Sequence, residues 1–405
     1  MASATERSWE HLLARRARAS ESDAIASIMA MANRTDIISF CGGIPDPSTF
    51  PGVELAETLR AIAVSGDTTA FQYAPTEGLT SVREYVADRL AMLEGARPPI
   101  GEVLITSGGI EALELISKAF LDAGDIVGVE SPSYLGSNLG FQSFEAKLAG
   151  VAMDQDGAIP EALAELLEGG LRPKLVYLIP DFQNPTGLSL STDRRPAFVE
   201  LARRYGFLLI EDVTYRELTF DGTIRPSLRA LGPDVVVQIG TFSKTFLPGT
   251  RLGWASGPPE IIARMVWAKQ NTDQCAGALG SRLLEEYGRS GQLDRQIGRA
   301  RAFYAHRAEQ MMAALERSMP AGVRWTRPEG GFLTWLTLPS GIDTSVLAEQ
   351  ALEVGVAFVP GAPFAVDGSG RDSLRLSFSR VTDEETADGI ARLGALIGSA
   401  VEAAA

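Results

Sequence analysis

Lys244 lies in the segment 240–251, with Thr241 and Ser243 just before it, Arg251 seven residues after, and the apolar run 235–239 leading straight into the turn. An amine placed just past a buried strand is partly desolvated. Its lowered pKa makes it a nucleophile that forms a Schiff base with an aldehyde. The hydroxyls of Thr241 and Ser243 and the guanidinium of Arg251 form a donor set suited to a dianionic phosphate. Taken alone, a loop lysine is more often solvated than reactive, so the weight must come from comparable positions elsewhere in the chain.

Other apolar runs end in the same manner. Residues 207–210 lead through Glu211 into Asp212, with Tyr215 three residues on. The carboxyl end of a strand is the edge at which open α/β sheets bind ligands. A buried carboxylate against a pyridine nitrogen keeps that nitrogen protonated and makes the ring an electron sink. The competing role for such an Asp is a helix N-cap. The run 175–179 leads to Asn184 before Pro185. A following proline holds the Asn backbone extended and fixes its side chain, which together with Tyr215 can reach the phenolic oxygen of the ring; a plain Asn-Pro turn is the alternative. The run 103–106 leads into Ser107, Gly108, Gly109 and Ile110, a strand, a glycine pair and a helix start whose free N–H groups suit a phosphate. Tyr134 opens the next helix and can stack on a flat ring, although a half-buried core tyrosine is commoner. Each signal is weak to moderate. Together they supply a phosphate cradle, a stacking ring, an oxygen donor, an acid for the ring nitrogen and an amine, all at the strand ends of one sheet.

The elements that must position these residues follow from periodicity. Short apolar runs at 103–106, 126–129, 175–179, 207–210, 235–239 and 252–256 alternate with helical patterns, the signature of a mainly parallel sheet covered on both faces. A helix is expected over 22–33, ahead of a Gly- and Pro-rich stretch at 42–52. A long helix over 258–286 should break around 272–277. Beyond residue 290 helices interleave with strand candidates at 330–335, 356–359 and 373–377, an α+β pattern. The expected division is residues 1–49 as an N-terminal arm and part of a small domain, 50–289 as a large domain, and 290–405 as the small C-terminal domain; a prior of about 150 residues per domain allows it.

Composition removes several classes. The chain is 45% apolar and 22% charged, enough to build a core without disulfides or metal. Its 37 basic against 51 acidic residues give a net charge of −14, wrong for a sequence-independent grip on nucleic acid or an anionic membrane. Cys41 and Cys275 are far apart, as are His11 and His306, so no metal-ligand spacing exists and each histidine is expected at the surface. The charged N-terminus has no apolar signal core and no stretch is long enough to span a bilayer, which points to the cytoplasm.

At this point the chain resembles the class I/II aminotransferases of pyridoxal-phosphate (PLP) fold type I, most closely the α-aminoadipate and kynurenine/aminoadipate subgroup. The similarity runs over about 38–379 and includes Gln72 to Gly78, Arg327 to Phe332, Phe358 to Gly361 and Leu374 to Ser377. The resemblance implies a mostly parallel, seven-stranded sheet flanked by helices plus a smaller α+β domain. It implies a ping-pong exchange of an amino group between an L-amino acid (aromatic, branched or neutral, or aminoadipate-like) and a 2-oxo acid. By the same resemblance Lys244 links to the cofactor aldehyde and moves protons. Asp212 pairs with the ring nitrogen, Asn184 and Tyr215 hold the ring oxygen, and Tyr134 stacks. Ser107, Gly108, Gly109, Ile110, Thr241, Ser243 and Arg251 surround the phosphate, with Tyr73 reaching in from the second subunit of a homodimer. Gly43, Asn184 and Arg375 meet the substrate, Arg375 clamping its α-carboxylate.

Two departures from the family pattern stand out. Gly109 replaces a residue that is often Ser or Thr, removing one phosphate hydroxyl. Ala26 falls where the aminoadipate enzyme carries an arginine for the distal carboxylate, with Arg18 and Arg34 as the nearest substitutes, which favours an uncharged substrate side chain. Rival readings are another PLP reaction on the same scaffold (a lyase, decarboxylase or cyclase) and the sensing half of a transcription regulator. The latter is disfavoured by acidity and by only about 36 residues ahead of the Gly-Gly segment.

Overall fold

The computed structural model describes residues 9–18 and 24–404. Its strands are β1 (Ile38–Ser39), β2 (Val103–Thr106), β3 (Ile126–Ser131), β4 (Lys147–Asp154), β5 (Gly157–Ala158), β6 (Leu175–Leu178), β7 (Leu208–Asp212), β8 (Val236–Thr241), β9 (Gly253–Ser256), β10 (Arg324–Trp325), β11 (Leu333–Thr337), β12 (Val356–Ala357), β13 (Val359–Pro360) and β14 (Ser373–Ser377). The helices up to the middle of the chain are α1 (Arg15–Arg18), α2 (Ala24–Ala32), α3 (Gly52–Val64), α4 (Thr80–Glu94), α5 (Gly109–Phe120), α6 (Leu135–Ser143), α7 (Pro160–Glu168), α8 (Arg195–Tyr205) and α9 (Leu228–Leu231). They continue as α10 (Pro259–Gln270), α11 (Ala278–Arg289), α12 (Gln292–Ser318), α13 (Thr344–Glu353) and α14 (Asp383–Ala404).

The central sheet has the order β2-β9-β8-β7-β6-β3-β4-β5. Its middle is parallel, from β8 through β7, β6 and β3 to β4, while β9 runs antiparallel to both β8 and β2. Strands of this kind are buried on both faces, so they read as continuous apolar runs. One face packs Val127, Val129, Tyr177, Ile210 and Ile239 against α5, α6 and α10; the other packs Val176, Leu178, Leu209 and Val236 against α7 and α8. The sheet has eight strands where seven were expected. The addition is β5, two residues that fold back on the end of β4 with Met153 opposite Ala158 and Asp154 opposite Gly157. Gly157 takes a φ of +88°, which the tight return requires, and Leu190 packs too close to admit a Cβ there.

A second, antiparallel sheet of order β10-β11-β14-β13 shares a buried core with α12 and α14, Leu336, Leu374 and Leu376 clustering with Met311, Leu315 and Leu393. Phe40, following β1, is buried in the same core as Met311, Leu336, Val356 and Leu376, and β1 pairs in parallel with β12. The segment at 38–43 is thereby held against the C-terminal third while its next residues reach the edge of the large sheet. The expected helix over 22–33 is α2, shorter at its C-terminal end, with residues 22 and 23 outside the described set. The break at 272–277 separates α10 from α11 as expected. His11 and His306 are both exposed, and His306 hydrogen-bonds Asp383 at 2.8 Å.

Candidate active site

The carboxyl ends of β6, β7 and β8, the start of α5, and the strand β14 of the second sheet converge on one cavity of about 380 Å³. It is lined by Gly43, Gly109, Ile110, Tyr134, Asn184, Asp212, Tyr215, Thr241, Ser243, Lys244, Arg251 and Arg375, residues singled out in the sequence. Three others are not among its lining. Ser107 and Gly108 lie just behind the start of α5, and Tyr73, 83% exposed, lines a separate shallow cavity with Gln270, Gln274 and Cys275.

Lys244 follows β8 in a turn, half-buried, and its Nζ donates to the Gly43 carbonyl at 2.8 Å. The surrounding protein desolvates the amine, and Arg375 and Arg251 add positive potential. These outweigh the attraction of Asp212 and bring the pKa down to about 8. Asp212 ends β7 and is buried. Its Oδ1 accepts from the Thr214 N–H at 2.9 Å and the Thr214 hydroxyl at 2.6 Å, and its Oδ2 accepts from the Tyr177 hydroxyl at 2.8 Å. Burial raises its pKa, against the stabilising hydrogen bonds of Thr214 and Tyr177 and the charge of Lys244.

Across the cavity, Arg375 on β14 donates to Asn184 Oδ1 at 3.0 Å and to the Cys41 carbonyl at 2.5 Å. Its Nε is buried with no partner. A buried guanidinium with an unfilled donor is costly unless an acceptor arrives, and its planar fork suits a carboxylate. Phe364 stacks beneath it, with the guanidinium 5.1 Å from the ring centroid.

The phosphate end is built from backbone. Gly108 takes a φ of +96° and caps α5, and a Cβ there would lie 2.7 Å from Arg251 Nη2, so only glycine lets the guanidinium close over the turn. Arg251 Nη1 donates to Ser243 Oγ at 3.3 Å, and Thr241 Oγ1 donates to the same oxygen at 3.0 Å. A helix start, a guanidinium and two hydroxyls facing one space constitute an anion site. Gly136 leaves room for the Tyr134 ring, whose Cζ would be 2.5 Å from a Cβ. The residues therefore fit pyridoxal phosphate at each of its ends: an anion cradle, a desolvated amine and a fixed buried carboxylate.

The early helix contributes lining residues that the sequence does not single out by number. Ile25, Ile28 and Met29 of α2 present one helical stripe to the cavity mouth. Ala26 is exposed and outside the lining, Arg34 pairs with Asp36, and the Arg18 side chain lies outside the described residues. Tyr177 was read only as part of an apolar strand. Its reach to Asp212 depends on β6 and β7 pairing with Tyr177 opposite Ile210, which makes the two residues diagonal neighbours.

This fold and site define a pyridoxal-phosphate enzyme of fold type I. The chain belongs to the aminotransferase class I and II family, whose sequence model matches residues 35–393. It is 36% identical to aromatic-amino-acid aminotransferase 1 of Thermococcus litoralis, covering 96% of this chain and 94% of that protein. It is 38% identical to 2-aminoadipate transaminase of Thermus thermophilus, covering 96% of each. The crystal structure of Pyrococcus horikoshii kynurenine aminotransferase in complex with PMP and kynurenine superposes with a TM-score of 0.93 at 37% identity, over 97% of this chain and 98% of that one. The protein is a PLP-dependent aminotransferase.

Proposed function

We propose that the enzyme exchanges the amino group of an L-amino acid with an uncharged side chain, aromatic or branched, for the oxygen of a 2-oxo acid. The observation that carries this is the composition of the cavity. Among the described residues its lining arginines are Arg251, beside the phosphate cradle, and Arg375, beside Asn184, while Ile25, Ile28, Met29 and Ile44 give it an apolar lining. A distal carboxylate would meet apolar groups there and lose hydration without a partner, which is costly.

When bound, pyridoxal phosphate supplies an aldehyde that accepts the amine and a protonated ring that takes up the electrons released at the substrate Cα. Asp212, held by Thr214 and Tyr177, keeps the ring nitrogen protonated. Asn184 and Tyr215 would hold the ring oxygen, and Tyr134 would offer its ring for stacking. The amides of Gly109 and Ile110 bind the phosphate with Thr241, Ser243 and Arg251. Arg375 clamps the α-carboxylate in a bidentate pair and turns the Cα–H bond toward Lys244, with the Gly43 backbone alongside. Lys244 Nζ takes that proton, its lowered pKa leaving a useful neutral fraction near neutral pH. A homodimer places Tyr73 of one subunit at the partner's phosphate. The division 1–49, 50–289 and 290–405 is retained, supported by the packing of Phe40 against the C-terminal third. Two unpaired cysteines fit a cytoplasmic setting.

The test is spectroscopic. A visible band on the purified protein should bleach with phenylalanine or leucine and return with a 2-oxo acid, and glutamate should bleach it more slowly. Bleaching fastest with glutamate or aminoadipate would refute the substrate class. A band that no amino acid converts would move the protein to a lyase or cyclase reaction.

A further inference from the structure

Behind the start of α5 lies a buried ion cluster to which the site above assigns nothing. Lys269, in the last turn of α10, is fully buried, and its Nζ donates to both oxygens of Glu111 at 2.8 and 2.7 Å and to both of Asp273 at 2.8 and 2.9 Å. Both carboxylates grip the same residue. Glu111 Oε2 accepts the Ser107 N–H at 2.5 Å, and Asp273 Oδ2 accepts the Ser107 hydroxyl at 2.7 Å. Lys118 Nζ ties the loop that carries Asp273 to α5 by donating to the Asn271 carbonyl and the Thr272 hydroxyl. The start of α5 and the turn that follows α10 thus meet on the residue that precedes Gly108.

The charge of this cluster is wrong for attracting an anion. Two carboxyls against one ammonium add no net positive charge at a helix start that faces a phosphate, where a cation would serve better. Ser107 has also committed its N–H and its hydroxyl proton to the cluster. What the cluster supplies is therefore geometry. An ammonium this deep is tolerated only when fully paired, and its pairing here fixes the carboxylates that fix Ser107.

We propose that Lys269, Glu111 and Asp273 are positioning residues for the cofactor phosphate, holding Ser107 so that Gly109 and Ile110 present their amides at a fixed spacing opposite Arg251. The inference rests on the phosphate site proposed above, so its test compares two aldehydes, pyridoxal phosphate and pyridoxal, which lacks the phosphate. Apoenzyme of full-length protein is titrated with each and the visible band is followed. Asp273→Asn and Lys269→Met should each raise the Kd for pyridoxal phosphate about tenfold, the weight of one charge-assisted hydrogen bond, and shift the pyridoxal Kd by less than about twofold. If Lys269→Met does not fold, Asp273→Asn, which keeps the side-chain shape, and Ser107→Ala carry the comparison. Equal shifts for the two aldehydes, or no shift with pyridoxal phosphate, overturn the proposal. Arg251→Leu separates the two levels: if it leaves the ratio of the two Kd values unchanged, the phosphate site itself is wrong and the positioning role falls with it.

Discussion

The amine of Lys244 and the carboxyl of Glu130 show how burial sets the pH behaviour of single residues in this enzyme. Lys244 must be neutral to attack an aldehyde, and desolvation aided by Arg375 and Arg251 brings its pKa down to about 8. Loading of apoenzyme with pyridoxal phosphate should therefore accelerate as pH rises through about 8 and level off above it, in stopped-flow absorbance. A plateau reached only near the ordinary lysine value of 10.5 would show that the desolvated environment is not kept in solution. Glu130, on β3, is buried without a cation. It accepts from the Ile179 N–H at 3.1 Å and from Gln183 Nε2 at 3.2 Å, and Gln183 also donates to the Pro132 carbonyl at 2.8 Å. One carboxyl thus links the loop that carries Tyr134 to the loop that carries Asn184. Burial pushes its pKa up from 4.5 to about 8, with the charge of Asp212 adding to the rise. The folded state then holds a proton that the unfolded chain releases between those values. The stability contributed is complete below 4.5 and is lost as pH rises through about 8. Glu130→Gln keeps the shape and removes the titration, so the Tm of the variant relative to the parent should climb between about pH 5 and about pH 8.5. A difference that stays flat over that range would refute the buried neutral carboxyl.

At the scale of elements, the proposed substrate preference rests on α2, which adds an apolar lining to a cavity whose reacting groups sit at the strand ends. Its Ile25, Ile28 and Met29 face the cavity on one stripe. Ile28→Arg puts a cation on that stripe and removes an apolar contact. The ratio of kcat/KM for glutamate over leucine should rise by at least about tenfold, as expected when a carboxylate gains a charged partner and an aliphatic side chain loses one. An unchanged ratio would place side-chain selection elsewhere. The same helix shows where sequence reading stops. Strands β2, β3, β6, β7 and β8 were legible because each is a buried apolar run between amphipathic helices, and the glycines and lysine at their ends carry recognisable chemistry. Strand β4 was not, because it lies near the sheet edge with exposed and half-buried residues in no regular alternation, Lys147, Ala152 and Asp154 among the exposed ones, and β5 is too short to leave a pattern. The stripe on α2 was hidden for a different reason. Its residues Ala24–Ala32 are apolar at every position but Ser27, with Ile25 and Met29 part-exposed, so periodicity alone does not say which of them face a ligand. Tyr177 was concealed by strand register, and the Lys269 cluster by pairing between residues more than 150 positions apart.

For the molecule as a whole, the proposed homodimer has a candidate surface in the exposed apolar side chains of one chain. Val53 and Val64 on α3, Phe71 in the turn that follows, Leu279 on α11 and Trp267 on α10 are all exposed, and α11 packs directly on α3 and on that turn. Exposed apolar side chains gathered on packed neighbours mark an association surface. Tyr73, two residues after Phe71, lines a shallow cavity with Gln270 and Gln274 and is not part of the lining of the cavity that holds Lys244. In the homodimer proposed above, a second copy related by a two-fold axis would bury this apolar surface and bring each Tyr73 toward the other copy's phosphate cradle. The expected mass by light scattering is twice 43.2 kDa. A charge placed in the patch, such as Val53→Asp with Trp267→Glu, should yield a folded monomer whose affinity for pyridoxal phosphate falls although every residue lining its own cavity is unchanged. Tyr73→Phe should weaken binding in the dimer and have no further effect in that monomer, because the phenol acts only across the interface. If the monomer binds the cofactor as tightly as the dimer, the cradle is complete within one chain and the cross-subunit role of Tyr73 is wrong.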